Sequence, residues 1–248
     1  EALMTTQIRS LSHRRRIRGS FLDTVLSTGP IAYWPLDESA GTTARCLVNS
    51  AQNGTYTGVT LANDSAGPFG TPAPFFDGAN DYVNVKTATL EALWNAGGAE
   101  WSIMTWWRAA NVGVWTDAAY RYVFMGIDTA NDYALIGRTN VNNQFRVVWR
   151  ANATTQTDLQ NGLTTTDWQS YIVTRSEAAG EVKYYRNGAL LATDGPAIGA
   201  WASAGGWTNI LIGAETTVPA QVWHGWIAHT ALWNRALTPG NIATLANP

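Results

Sequence analysis

The sequence has one cysteine, three histidines and few charges, and each shortage closes off a class of function. Cys46 has no partner, so no disulfide can staple the chain to itself, and a lone thiol of this kind packs as a small buried hydrophobe. One cysteine and three scattered histidines lack the clustered nitrogen and sulfur ligands that zinc requires. No stretch approaches the ~20 consecutive apolar residues that cross a bilayer as a helix, so no membrane insertion is expected. Phe21-Leu22-Asp23-Thr24-Val25-Leu26 is too short, and carries an aspartate, to serve as the apolar region of a secretion signal. There is no Gly-x-x-x-x-Gly-Lys run to cradle phosphate and no Gly-x-Ser-x-Gly elbow to raise a nucleophile. Charged residues make up 14% of the 248, well below the usual ~25%. The surface must therefore be covered largely by Thr, Asn, Gln, Ser and Gly, which suits a protein that works docked or outside a cell.

The few charges are unevenly placed. Residues 1–20 hold Arg9, Arg14, Arg15, Arg16 and Arg18 against Glu1 alone, a balance of +4, while the rest of the chain carries 11 basic and 17 acidic residues, a balance of −6. A basic arm on an acidic body can dock on an acidic protein neighbour, a membrane surface or nucleic acid, or can simply be solvated. It lacks interleaved aromatics and any nucleic-acid motif, so sequence-specific nucleic-acid binding is not expected.

Apolar residues make up 46% of the chain, enough for one large core, and all-β sandwiches of this length commonly remain a single domain. Residues 1–28 read as the basic arm followed by a short amphipathic segment (Phe21, Leu22, Val25, Leu26), and residues 29–248 as one domain of short strands. Strand candidates are Ile31–Leu36, Thr55–Leu61, Pro74–Phe76, Tyr82–Lys86, Trp101–Arg108, Tyr120–Ile127, Tyr133–Gly137, Gln144–Arg150, Trp168–Thr174, Glu181–Arg186, Ala189–Thr193, Asn209–Gly213 and Trp223–Trp233. Alternation in Gln144–Arg150 sets Phe145, Val147 and Trp149 on one face against Arg146, Val148 and Arg150 on the other. Trp101–Arg108 carries large apolar groups on both parities, so it is expected at the centre of a sheet, covered on both sides. Asn187-Gly188 suits a two-residue hairpin turn with positive φ at both positions. Helices are expected over Thr89–Asn95 and over Thr238–Leu245, the second with Thr238 as N-cap and Pro239 at the first helical position. The pattern is all-β: a two-sheet antiparallel sandwich with short helices.

In their order, several segments resemble the laminin-G-like, or concanavalin-A-like, jelly-roll superfamily, in the branch found in bacterial secreted proteins and phage structural proteins. They are Val25-Leu26 with Pro30–Glu38, Asn53–Gly58, Phe76-Asp77-Gly78-Ala79-Asn80-Asp81-Tyr82-Val83, Trp101–Trp107, Tyr185–Gly188, Ile212-Gly213-Ala214, Trp223–Ile227 and Leu232–Leu237. The resemblance implies two antiparallel sheets face to face, one of them concave, with ligands met at the rim or on the concave face. It hosts lectins, adhesion modules, glycosidases and structural domains, so fold alone assigns no function.

Glycoside hydrolysis needs two carboxyl groups, about 5–5.5 Å apart for retention. Sandwich glucanases of similar fold carry Glu-x-Asp-x-x-Glu on a central strand, and this chain has no such run. Calcium takes six to eight oxygen ligands. Asp77, Asn80 and Asp81 supply oxygens of that kind where relatives hold calcium, and equally they can bond their own backbone in a tight turn. Of thirteen tryptophans, Trp34, Trp101, Trp107, Trp149, Trp226 and Trp233 fall on apolar strands and are assigned to the core. Trp115, Trp201 and Trp207 lie in small-residue loops and Trp223 at a strand start, which makes these four the candidates for a sugar-stacking surface or loop packing.

The expected function is a non-enzymatic binding or structural module. Read with the resemblance, it is a phage virion decoration anchored to other virion proteins by its arm and displayed on the particle surface. The alternatives are a glycan-binding adhesion module at a bacterial surface or secreted, and, behind it, a glycosidase.

Overall fold

The computed structural model describes residues 21–64, 67–97, 100–129, 132–201 and 206–247. Arg9, Arg14, Arg15, Arg16 and Arg18 thus lie outside the described residues.

Two antiparallel sheets of eight strands face each other as a jelly-roll sandwich. The first, sheet A, runs β14 (Ala189–Asp194), β13 (Glu181–Arg186), β12 (Gln169–Ser176), β7 (Glu100–Ala109), β16 (His224–Trp233), β5 (Ala73–Asp77), β4 (Thr60–Asp64), with β1 (Ala32–Trp34) also on β16. The second, sheet B, runs β11 (Thr154–Gln160), β10 (Phe145–Ala151), β9 (Tyr133–Arg138), β8 (Arg121–Asp128), β15 (Trp207–Ile212), β6 (Tyr82–Asn84), β3 (Gly54–Thr57), β2 (Thr43–Ala44). Helices are short: α1 (21–27), α2 (Ala88–Gly97) and α3 (Pro239–Ala246). The Thr238 hydroxyl accepts from Asn241 N at 3.2 Å, capping α3 as its sequence requires. Asn187 and Gly188 both have positive φ, 49° and 79°, and turn β13 into β14.

The two apolar parities of β7 go to different places. Trp101, Ile103 and Trp107 enter the core between the sheets, while Met104 and Trp106 join a second cluster on the outer face of sheet A. That second cluster includes Phe21 and Val25 of α1 and Ile242 and Leu245 of α3, so residues 21–27, grouped with the arm on sequence, pack as part of the sandwich. Phe21 sits 4.0 Å from the Phe69 ring and edge-on to Trp106. Cys46 is buried, with its sulfur beside Tyr33 N and Gln52.

β11 has no counterpart among the expected strands. Its sequence Thr-Thr-Gln-Thr-Asp-Leu-Gln inverts the usual pattern: Asp158 lies opposite Val147 and is buried, while Leu159 is 48% exposed. An edge strand with a polar inner face carries no apolar alternation to read.

Candidate ligand-binding face

Sheet A has its outer face packed by α1 and α3; the outer face of sheet B carries no helix among the described residues. Strand pleating puts every second residue there, and the registers arrange them in three rows. The central row is apolar: Val148 of β10 pairs with Leu135 of β9, which pairs with Met125 of β8. These three are nearly fully buried, forming a small cluster separate from the main core. On either side runs a row of arginine and tyrosine. One holds Arg146, Gly137 and Tyr122; the other holds Arg150, Tyr133 and Ile127.

In the first row the Arg146 guanidinium donates to the Tyr122 hydroxyl at 2.7 Å and lies 5.1 Å from the Tyr120 ring centre and 5.7 Å from that of Tyr122. Contacts of this kind hold the cation in one orientation and make ring and charge a single surface. Gly137 makes the arrangement possible: a Cβ there would stand 2.8 Å from the Tyr122 ring and 2.5 Å from Arg121 O. Glu215 reaches the cluster from the loop after β15. Burial raises its carboxyl above the ordinary range and the Arg146 charge opposes the shift; the same two effects, in the same order, act on the Tyr122 phenol. In the second row Arg150 lies 6.0 Å from the Tyr133 ring. Tyr120, Tyr133, Arg146 and Arg150 keep part of their surface in water, over a dry floor. Aromatic faces beside fixed donors are what sugar rings require, apolar C–H faces against rings and hydroxyls against polar groups.

The four tryptophans named as candidates for a sugar-stacking surface or loop packing are inside the molecule. Trp115, Trp201, Trp207 and Trp223 are 0%, 7%, 2% and 0% exposed. Their loops fold inward and plug the two ends of the sandwich. Trp201 and Trp207 complete a cluster with Trp94, Trp101 and Trp149. Trp115 and Trp223 close on Trp107, with the Trp115 indole N–H donating to Thr165 O at 2.9 Å. Large rings bring more apolar area inward than their small-residue loops suggest, and burial wins. The correction runs the other way for Trp226, assigned to the core but half-exposed, as is Trp168. Arg108 covers the face of Trp226 at 4.0 Å and lies 5.6 Å from Trp168, and Phe75 packs on Trp226 at 4.9 Å. With those ring faces taken, this ladder suits sugar stacking less well than the tyrosines of sheet B.

Asp77, Asn80 and Asp81 form a turn. Asp77 Oδ1 accepts from Ala79 N and Asn80 N, and Asp81 Oδ2 accepts from Asp77 N at 2.8 Å. Gly58 makes room for the buried Asp81, since a Cβ there would lie 2.2 Å from its Oδ1. Among the described residues no group of three His, Cys, Asp or Glu side chains is placed to hold a metal. One carboxylate oxygen of Asp77 and one of Asp81 are thus engaged by backbone amides of the turn.

His229 is buried on sheet A, between the Tyr33 hydroxyl at 2.8 Å and Thr71 at 3.3 Å, and His224 is half-buried at the rim, where burial and then Arg121 lower its pKa.

The sandwich superposes on the binding domain of botulinum neurotoxin serotype G with a TM-score of 0.60 at 12% identity, covering 88% of this chain and 50% of that one. The serotype D binding domain gives 0.61 at 14%, with the same coverage, so the chain spans about half the length of these neurotoxin domains. Domain 4 of AbnA, a GH43 extracellular arabinanase from Geobacillus stearothermophilus solved in complex with arabinotriose, gives 0.58 at 15% identity, covering 88% of this chain and 98% of that one. At such identities the likeness is one of fold. No curated protein matches the sequence. The family model described as the concanavalin A-like lectin/glucanases superfamily matches residues 76–243, about two thirds of the chain and nearly all of both sheets beyond β5, and the protein belongs to that superfamily.

Proposed function

We propose that this protein is a non-catalytic glycan-binding module, working outside a cell, that holds its ligand across the outer face of sheet B. The observation that carries the reading is the pair of arginine–tyrosine rows flanking the Val148–Leu135–Met125 floor on the sheet face that no described helix covers. The three rows contain no carboxylate; Glu215 enters alone from a neighbouring loop, and hydrolysis by two carboxyl groups has no pair to use there. The arabinanase domain with arabinotriose bound supports a sugar ligand for a sandwich of this shape, and the neurotoxin binding domains support recognition without turnover. No described helix is long and apolar enough to cross a membrane.

The test is a titration of the protein with oligosaccharides, arabinotriose among them, following amide shifts by NMR. Binding is expected to shift residues of β8, β9 and β10, and Tyr120→Ala and Arg146→Ala are each expected to weaken it about tenfold or more. Binding that survives both substitutions, or sugar release on incubation, would overturn the reading. Anchoring to a virion by residues 1–20 rests on the five arginines of that segment, and nothing in the described sandwich adds to it.

A further inference from the structure

Two open sheets have four edges, and an edge strand offers unpaired N–H and C=O groups along its length to any extended chain that reaches it. Three of the four are blunted. In sheet B, β2 is two residues long, Thr43–Ala44. In sheet A, β4 pairs with β5 at Thr60 and Asp64 with the register broken between them, where Ala62 has a φ of 49°. At the other edge of sheet A, β14 carries a bulge opposite Tyr184 and Tyr185, which twists it away from a would-be neighbour.

β11, the fourth edge, has no such device. All seven of its residues, Thr154 to Gln160, pair with β10 in one unbroken register, and none is proline, glycine, lysine or arginine. Its one charge is turned inward. Asp158 is already buried and receives the Gln160 amide on both oxygens, so a strand added at this edge would strip water from no exposed charge. Among the described residues, β11 makes no backbone hydrogen bond outside its pairing with β10; the loop after β14 is tied to it by the Gln156 side chain, which donates to Ala197 O at 2.7 Å. On the outer face Thr155, Thr157 and Leu159 are exposed, and the register sets them beside Arg150, Val148 and Arg146, at the ends of the three rows of the ligand face.

We propose that β11 is the seam of a homodimer, in which a second copy of this chain adds its own β11 antiparallel across a two-fold axis at Thr157. The strand itself selects that centre. Pairing about Thr157 engages all seven residues, sets Thr155 opposite Leu159 of the second copy, and sets Gln156 opposite Asp158. A centre at Asp158 would bring two acids face to face, and one at Gln156 would leave Leu159 and Gln160 without strand partners. Leu159, 48% exposed in the single chain, is covered in the dimer by a threonine. The axis stands perpendicular to the sheet, so the contact closes on itself and both ligand faces look the same way from one sheet of twice eight strands. The apolar floor then runs from Val148 through the two Thr157 side chains to the other Val148. A single strand pair falls below the ~1,200–2,000 Å² of a standard stable interface, so the dimer is weak and fills at high protein concentration. The seam stands whatever the two faces bind.

The experiment is sedimentation equilibrium of the whole chain from about 10 µM to about 1 mM, with Thr157→Lys, Thr157→Glu and Leu190→Lys beside the wild type. The wild type is expected to pass from 26.9 kDa to twice that mass. Thr157→Lys and Thr157→Glu each place like charges together at the axis and should weaken the dimer about tenfold or more. An equal mixture of the two should restore it, which misfolding of either cannot do. Leu190→Lys, on the bulged edge of β14, should leave it unchanged. Cys46 is buried and is the only native thiol, so Thr157→Cys adds one exposed thiol that mild oxidation should join to its counterpart, whereas Leu190→Cys should stay uncrosslinked. A wild type still monomeric at about 1 mM, a dimer indifferent to both charges at position 157, or a mixture as monomeric as its parts would overturn the seam.

Discussion

Gly137→Ala tests whether the ligand face is built as described. The added methyl would sit 2.5 Å from Arg121 O and 2.8 Å from the Tyr122 ring, against ordinary carbon contacts of 3.4–4 Å. Both must yield, the carbonyl by about 1 Å, and the carbonyl belongs to the β8 backbone paired with β9. Overpacking of this kind costs about 1–3 kcal/mol, which in a domain of this size lowers the melting temperature by roughly 2–12 °C. The Tyr122 ring, pushed off Gly137, also loses its 2.7 Å contact with Arg146, so oligosaccharide affinity should fall together with stability. Differential scanning calorimetry gives the first effect and titration below the transition the second. In a Tyr122→Ala background the same substitution should cost less, because the collision with the ring is gone, leaving those with Arg121 O and the Tyr122 Cα, and the pair is coupled. A Gly137→Ala protein that melts within a degree of the wild type and binds unchanged would refute the row geometry.

Trp201→Ala should destabilise by about 3–5 kcal/mol, read by urea unfolding, while glycan affinity of the folded fraction stays at the wild-type level; an affinity loss without a stability loss would return Trp201 to the surface. Asp158 has its pKa raised above 3.8, first by burial, so the native state binds more protons than the unfolded chain and stability falls as pH rises from about 3.8 through the shifted value. Asp158→Asn should therefore be more stable than wild type at pH 7, with the gap closing as pH falls through that window, as thermal melts between pH 3.5 and 7 would show. Calcium chloride or a chelator should leave the melting temperature unchanged, since one oxygen each of Asp77 and Asp81 is already engaged by a backbone amide; a rise of several degrees with calcium would show a site in this turn.

The strands that were legible from sequence are those whose chemistry repeats with the pleat. Phe145, Val147 and Trp149 alternate with Arg146, Val148 and Arg150, and the structure puts the first set in the core and the second on the outer face. That alternation already contained half of the candidate site, but the partners Tyr122 and Tyr133 lie on strands joined to it only by register, which no local pattern reports. For the four loop tryptophans the sequence left exposure and packing both open, for the opposite reason. Their neighbours in sequence are glycine, alanine and serine, the marks of a surface loop, whereas their fate is decided by the gaps at the sandwich ends that only the assembled sheets create. β11 was hidden because its inward residue is an acid.

With α1 and α3 both seated on the back of sheet A, the polypeptide enters and leaves the sandwich on one side, and the tyrosine–arginine rows look out from the other. A tether, fusion partner or biosensor surface attached close to the last helix would therefore start from the side opposite the tyrosine–arginine rows. Immobilised at that end, the module should present the tyrosine–arginine face forward, without a linker designed to turn it around.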